Sequence, residues 1–191
     1  MTTARLRVLW TLLYAGLYAG ALHAADDDLP RKRALDDRSY AATPERLARG
    51  QYLAEHLLQC FVCHSERDWD RPGAPPKDGR KGAGAVLSER GERRIVAPNI
   101  TPDVATGAGG WSDDMLARAI REGIGHDERP LYWGMWYESF AALSDEDLAA
   151  VIVYLRSIPP VRNALPPTRL PPAELQENAA IPRPITAPVP G

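Results

Sequence analysis

Two cysteines and a histidine stand together in the segment Cys60-Phe61-Val62-Cys63-His64. Their spacing places Cys60 and Cys63 on one face of a helical turn, and the histidine follows directly. Two thiols and an imidazole in this order are the signature for covalent attachment of a c-type haem, with His64 as an iron ligand. The chain has no other cysteine. This excludes a four-thiolate zinc or iron–sulfur site and leaves a redox dithiol or a chance match as the alternatives.

The second axial ligand of such an iron decides what the haem does. A second strong ligand suits electron transfer, whereas an open position permits binding of small ligands or peroxide chemistry. Met135 is the favoured candidate, because it lies in a loop-like aromatic stretch well after the haem motif. Met115 is expected on an apolar helical face in the core. His126 and His56 are the remaining alternatives, since imidazole also binds iron.

Helices are predicted on both sides of these residues. The first begins with Thr43 as N-cap and Pro44 at its first position, and it runs into the haem motif. Its interior Gly50 indicates a close crossing by another helix, because glycine otherwise destabilises a helix. The second helix is capped by Ser112. Trp111, just before it, either donates to a haem propionate or fills the core.

The last predicted helix begins after Ser144 and is stopped by Pro159 and Pro160. Its apolar positions indicate packing across the first helix, with Tyr154 or Leu155 over Gly50. This crossing would hold the haem motif against the core.

Residues 65–97 are rich in glycine, proline and charge. They are expected to form a long irregular loop around the haem edge. A backbone carbonyl is expected to accept the other ring N–H of His64 and fix its orientation. The candidates are the carbonyls of Pro75, Pro76 and Pro98 and those of their neighbours.

Length and charge narrow the class of protein. The 191 residues suit one domain with extensions. Residues 25–42 are expected to be a flexible lead-in, 43–160 the domain, and 161–191 a proline-rich extended tail. The formal net charge is −2, and no basic stripe indicates nucleic-acid binding.

Residues 1–24 have the pattern of a secretory signal peptide. Two arginines precede the uncharged stretch 8–22, and cleavage is expected after Ala21 or Ala24. Export from the cytoplasm agrees with the haem motif, because c-type haem is attached after translocation. The alternative is an uncleaved membrane anchor, although the apolar run is shorter than the ~20 residues of a typical span.

Taken together, the motifs resemble class I cytochrome c, and more narrowly the mono-haem and dehydrogenase-associated c-type cytochromes of proteobacteria. The resemblance covers about residues 44–161. It rests on segments 60–64, 98–103, 109–113 and 143–148, with Met135 and Tyr137.

The resemblance implies an all-α fold, in which crossed N- and C-terminal helices and long loops surround one covalently bound haem c. It implies His64 as the proximal and Met135 as the distal ligand. The expected function is periplasmic electron transfer by Fe(III)/Fe(II) cycling, without catalysis. The alternative is a single-haem accessory subunit of a dehydrogenase, and a haem-based sensor or peroxidase is less favoured. Expected partners are redox donor and acceptor proteins, such as a dehydrogenase or a terminal oxidase, with membrane contact only through a partner or an uncleaved N-terminus.

Two departures from these relatives are visible. Trp136 stands directly after Met135, where relatives usually have proline. The missing proline removes a rigid turn and predicts a softer ligand loop. Dehydrogenase cytochrome subunits often carry three haem motifs, and this chain has one, which favours a small carrier or a single-haem subunit.

Overall fold

The computed structural model of the protein describes residues 32–191, so the expected signal peptide lies outside the described residues. Within these residues the helices and strands are, in chain order, α1 (Pro44–Tyr52), α2 (Cys60–Cys63), β1 (Ala85–Arg90), β2 (Arg93–Ala97), α3 (Asp113–Glu122), α4 (Tyr137–Phe140), α5 (Asp145–Ser157) and α6 (Pro172–Ala179). A π-helical turn, Leu53–Leu57, continues α1, and a 3₁₀ turn, Trp133–Met135, precedes α4. Within 32–191, every helix is too short or too polar to cross a membrane.

The helix starts predicted from the sequence are confirmed. Thr43, Ser112 and Ser144 each accept a hydrogen bond from the backbone N–H three residues later, at 3.1–3.2 Å. These bonds satisfy amides that would otherwise lack a partner at a helix start. At its other end, α3 stops at Gly123, whose φ of 71° lies in the left-handed region that glycine adopts readily.

The predicted crossing of the first and last long helices is also confirmed. A Cβ atom at Gly50 would lie 1.9 Å from the carbonyl oxygen of Ala150 and 2.8 Å from Cβ of Tyr154. The two backbones therefore touch where glycine provides the space. Two ion pairs flank the contact, Arg46 with Glu146 and Arg49 with Asp147.

The hydrophobic core lies between α1, α3 and α5, and Phe61 of α2 is buried in it. The α2 turn is thereby anchored through Phe61, one of the two residues between its cysteines. The other large buried members are Leu53, Leu116, Ile120, Leu148, Val151, Ile152, Tyr154, Leu155 and Ile158.

The all-α expectation is only approximately right, because part of the expected loop 65–97 is a β-hairpin. Strands β1 and β2 pair antiparallel, with Ala85 opposite Ala97 and Arg90 opposite Arg93. Gly91 begins the two-residue turn with a φ of 57°, the left-handed conformation that tight hairpins require. The pairing gives backbone groups in this stretch hydrogen-bond partners that a loop would lack.

The segment 161–191, expected to be extended, contains α6 and packs on the domain. Arg169 exchanges two backbone hydrogen bonds with Arg94 of β2, at 2.7 and 2.8 Å. Farther along, the backbone carbonyl of Val189 accepts from the N–H of Asp145 at 2.9 Å. The expectation was wrong for residues 172–179, because tertiary contacts stabilise a helix that shows little periodicity in the sequence.

The described part of the lead-in, residues 32–42, is tied to α3. Arg33 donates to both carboxylate oxygens of Asp114, and the backbone N–H of Asp36 donates to the same carboxylate at 2.8 Å. Asp114 is fully buried. The lead-in that was expected to be flexible thus has charged side chains with partners distant in sequence in this part.

Candidate functional site

The two thiols lie on α2, a single turn of helix. Gln59 precedes it with a φ of 53° and separates it from the preceding helix. Cys60 is partly buried, Cys63 is exposed, and no disulfide joins them. Burial raises the pKa of the Cys60 thiol to about 12. A redox dithiol depends on a thiol whose pKa is lowered, so the environment of Cys60 does not match that alternative.

His64 follows as the C-cap of α2 and is buried. Its Nδ1 lies 2.7 Å from the carbonyl oxygen of Pro98. Because a carbonyl can only accept, Nδ1 carries the proton, and the lone pair of Nε2 is left for a metal. Burial lowers the pKa of His64, opposed by the bond to Pro98. The ring is therefore neutral at pH 7, as metal binding requires.

The Pro98 carbonyl is held by the turn that follows it. The side chain of Asn99 accepts from both the backbone N–H and the hydroxyl of Thr101, at 3.0 and 2.7 Å. Its Nδ2 donates to the carbonyl of Val161 at 2.7 Å and to Oγ1 of Thr106 at 3.2 Å. All the hydrogen-bonding capacity of this buried amide is used inside the protein. Asn99 therefore fixes the turn that positions Pro98.

Met135 ends the 3₁₀ turn Trp133–Met135 and is partly buried. Its backbone N–H donates to the carbonyl of Tyr132 at 2.9 Å. The next residue, Trp136, has a left-handed φ of 58°. Proline cannot adopt this φ. The backbone at Trp136 therefore forms a turn that a proline at this position would not allow, and the difference from the relatives is more than the loss of a rigid residue.

The alternative ligands have other contacts. His126 is exposed, and its ring stacks on Trp111 with centroids 4.2 Å apart and planes 21° from parallel. Trp111 in turn packs against the core. His56 is also exposed and tilts against the ring of Tyr52 at 6.0 Å. Met115 is partly buried on α3. Of the histidines among residues 32–191, His64 alone is buried.

Two residues to which the sequence assigned no role lie near Met135. Tyr137 follows it closely in the chain, and Asn178 contacts its turn. The Tyr137 hydroxyl is buried without a hydrogen-bond partner in the described part of the chain, and burial raises its pKa to about 12. A buried hydroxyl group without a hydrogen-bond partner is rare. In the sequence, only the resemblance to class I cytochrome c drew attention to Tyr137. Asn178 of α6 bonds the backbone on both sides of Tyr132. An asparagine in a proline-rich segment gives no signal of such a contact.

The residues present fit a covalently bound haem c. Two unlinked thiols share one helical turn, and a neutral, buried imidazole with its Nε2 lone pair free follows them. The structure holds these three side chains together at α2 and places Met135 on a separate segment.

Comparison with known proteins agrees with a haem c site. The family model for cytochrome c matches residues 47–159. The chain is 36% identical over 124 residues to a nicotinate dehydrogenase subunit of Pseudomonas putida, covering 65% of this chain and 10% of that protein. It is 34% identical over 142 residues to the gluconate 2-dehydrogenase cytochrome c subunit of Pantoea cypripedii, covering 73% and 30%. It is 32% identical over 157 residues to the cytochrome c subunit of the quinone-dependent alcohol dehydrogenase of Gluconobacter oxydans, covering 80% and 27%. The chain thus matches at most 30% of the length of these three relatives.

Proposed function

The chain belongs to the cytochrome c family, and on this basis we propose that it is a one-electron carrier with a single haem c attached to Cys60 and Cys63. His64 and Met135 are the residues that would hold its iron. When bound, the haem supplies the Fe(III)/Fe(II) couple that holds the electron. The protein is accordingly proposed as a carrier and not as a catalytic subunit.

The observation that carries this proposal is the bond between His64 and Pro98. It fixes the tautomer and the ring plane of the imidazole before any electron arrives. The Asn99 turn holds the acceptor in place, and Phe61 anchors α2 in the hydrophobic core. A ligand that does not reorient lets the charge change with little atomic movement. The neutral thioether of Met135 is proposed to favour the less charged Fe(II) state.

We also propose that the electron donor is a dehydrogenase and that the protein works in the periplasm. The names of the three relatives, all parts of dehydrogenases, support the first proposal. The signal-like pattern of residues 1–24 supports the second. Expression of the full chain in a bacterium with haem-attachment machinery, followed by fractionation, tests the location. We expect periplasmic protein beginning at residue 22 or 25, and a protein that keeps its first residues at the membrane would contradict this.

Optical spectroscopy of the purified protein tests the ligand set. We expect one haem per chain that stays with the polypeptide after denaturation, and a weak far-red methionine–iron band in the ferric state. The band should disappear in Met135→Ala and persist in the controls Met115→Leu and His126→Ala. Its absence from the wild type would overturn the Met135 assignment. Rapid carbon monoxide binding by the ferrous wild type would instead indicate an open iron position.

A further inference from the structure

Helix α6 lies against the segment that carries Met135. Asn178, on the last turn of α6, is only 3% exposed. Its Oδ1 accepts from the backbone N–H of Trp133 at 2.8 Å, and its Nδ2 donates to the backbone carbonyl of Leu131 at 2.8 Å. One side chain therefore fixes the backbone on both sides of Tyr132.

This contact is specific to a carboxamide. An N–H needs an acceptor and a carbonyl needs a donor, and the two ends of the Asn178 amide supply one of each. No aliphatic side chain at this position can do both. Without the amide, a backbone donor and a backbone acceptor in a partly buried segment lose their partners, which costs more than loss of a solvated bond.

A second contact joins the same helix and turn through β2. Arg93 donates from Nη2 to the hydroxyl of Tyr132 at 2.7 Å and from Nε to the Glu174 carboxylate of α6 at 2.9 Å. Its guanidinium also lies 5.5 Å from the centroid of the Tyr132 ring. The backbone pairing of Arg169 with Arg94 then holds the chain before α6 against the sheet. The helix is thus fixed to the domain at one end and to the turn at the other.

The turn needs such external support because of its own conformation. Met135 lies between Trp133, which Asn178 bonds, and Trp136, whose left-handed φ of 58° is unfavourable for a side chain with a Cβ atom. A proline, which would stiffen the turn, is incompatible with that φ. The order of the turn therefore depends on contacts outside it in addition to its own backbone bond from Met135 to Tyr132.

We propose that α6 is a brace for the ligand turn and that Asn178 is a positioning residue for the Met135 thioether. This inference rests on the proposed function, since it takes Met135 as an iron ligand. A purely structural α6 would affect the unfolding of the whole domain. A brace affects how often Met135 leaves the iron while the domain stays folded.

The rate at which imidazole binds to the ferric holoprotein measures departure of the methionine ligand. We expect Asn178→Ala to increase this rate about tenfold, which corresponds to about 1.4 kcal/mol. The far-red methionine–iron band should also fade at a lower temperature than the Soret and far-ultraviolet signals of global unfolding. A wild-type rate in Asn178→Ala would overturn the proposal.

Thr168→Val is the matched control. Thr168 lies in the same segment, and its hydroxyl also makes two bonds to one stretch of backbone, with the N–H and the carbonyl of Val96 at 3.1 and 3.2 Å. Those bonds are on the sheet and not on the ligand turn. We expect Thr168→Val to lower global stability and to raise the imidazole rate much less than Asn178→Ala does. Equal acceleration in both variants would overturn the specific role of Asn178.

Two further measurements keep the test decisive. If the wild type lacks the far-red band and its spectrum matches that of Met135→Ala, the assignment of Met135 as a ligand fails. If the band is present and Asn178→Ala does not change the rate of imidazole binding, only the proposal that α6 is a brace fails. Hydrogen exchange on the wild-type holoprotein needs no variant. The Trp133 amide should exchange as slowly as the amides of α6, and exchange at the rate of a solvated amide would overturn the proposal.

Discussion

Gly50→Ala is the substitution whose cost the structure defines most directly. Its Cβ would lie 1.9 Å from the carbonyl oxygen of Ala150, 2.6 Å from the carbonyl carbon and 2.8 Å from Cβ of Tyr154. Real Cβ contacts are essentially never under 3.0 Å. Because the nearest atoms are backbone, no side-chain rotation relieves the clash. Helices α1 and α5 must separate by about 1 Å.

The expected magnitude follows from two opposing effects. Overpacking in a core costs about 1–3 kcal/mol and occasionally more, and the rigid contact at Ala150 puts Gly50 at or beyond the upper end. Alanine returns about 1 kcal/mol through its higher helix propensity. We therefore expect the free energy of unfolding to fall by at least about 2 kcal/mol, and the Tm by at least about 4–8 °C.

Guanidinium and thermal unfolding of the holoprotein measure this change. Gly110→Ala is the control, because the nearest atom to its new Cβ is 3.9 Å away and its φ is not in the left-handed region. We expect Gly110→Ala to stay within about 0.5 kcal/mol of the wild type. If Gly50→Ala is as stable as Gly110→Ala, the close contact between the two helices is not as described.

Two further predictions concern the turn after Pro98 and the lead-in. Asn99→Ala removes four hydrogen bonds and should lower the free energy of unfolding by about 2–4 kcal/mol in guanidinium titrations; a loss under 1 kcal/mol would contradict its role in the turn. Hydrogen bonds from Arg38 lower the pKa of Asp36 from 3.8 to about 2, so its stabilising effect is present above pH 3.8 and is lost as the pH falls through 2. Because the Asp36 side chain is 46% exposed, Asp36→Asn should lower the free energy of unfolding by less than about 1 kcal/mol at pH 6. In urea unfolding, the difference between variant and wild type should vanish below pH 2. A difference that stays constant with pH would exclude titration of Asp36 as its cause.

The features that the sequence predicted correctly depend on local rules. A helix start needs a polar side chain a few residues from the amides it caps, so Thr43, Ser112 and Ser144 are visible in the sequence. The crossing at Gly50 was predictable because a glycine inside a helix is destabilising unless it permits a close contact. The hairpin was missed, although Gly91 and Glu92 between two apolar stretches are a turn signal. The charged residues on both sides of the turn concealed these apolar stretches in the sequence.

The features that could not be predicted join residues far apart in sequence. Asn178 and Trp133 are separated by 45 residues, and Asp36 and Asp114 by 78. Nothing in either local sequence specifies the partner, because a hydrogen bond of this kind exists only after the chain has folded. The orientation of His64 is an intermediate case. A carbonyl acceptor was expected, and only the structure selects Pro98 among the candidates.

The two proposed ligands therefore differ in where the contacts that hold them lie in the sequence. His64 and the Pro98–Asn99 turn lie within the family-matched range 47–159, and most of their contacts do too. The turn of Met135 also lies inside this range, but its bonds to Asn178 come from α6, outside it. Substitutions in α6 should consequently alter the Met135 turn while leaving the His64–Pro98 bond unchanged. On these proposals, the structural unit that positions Met135 extends beyond the residues that the family model matches.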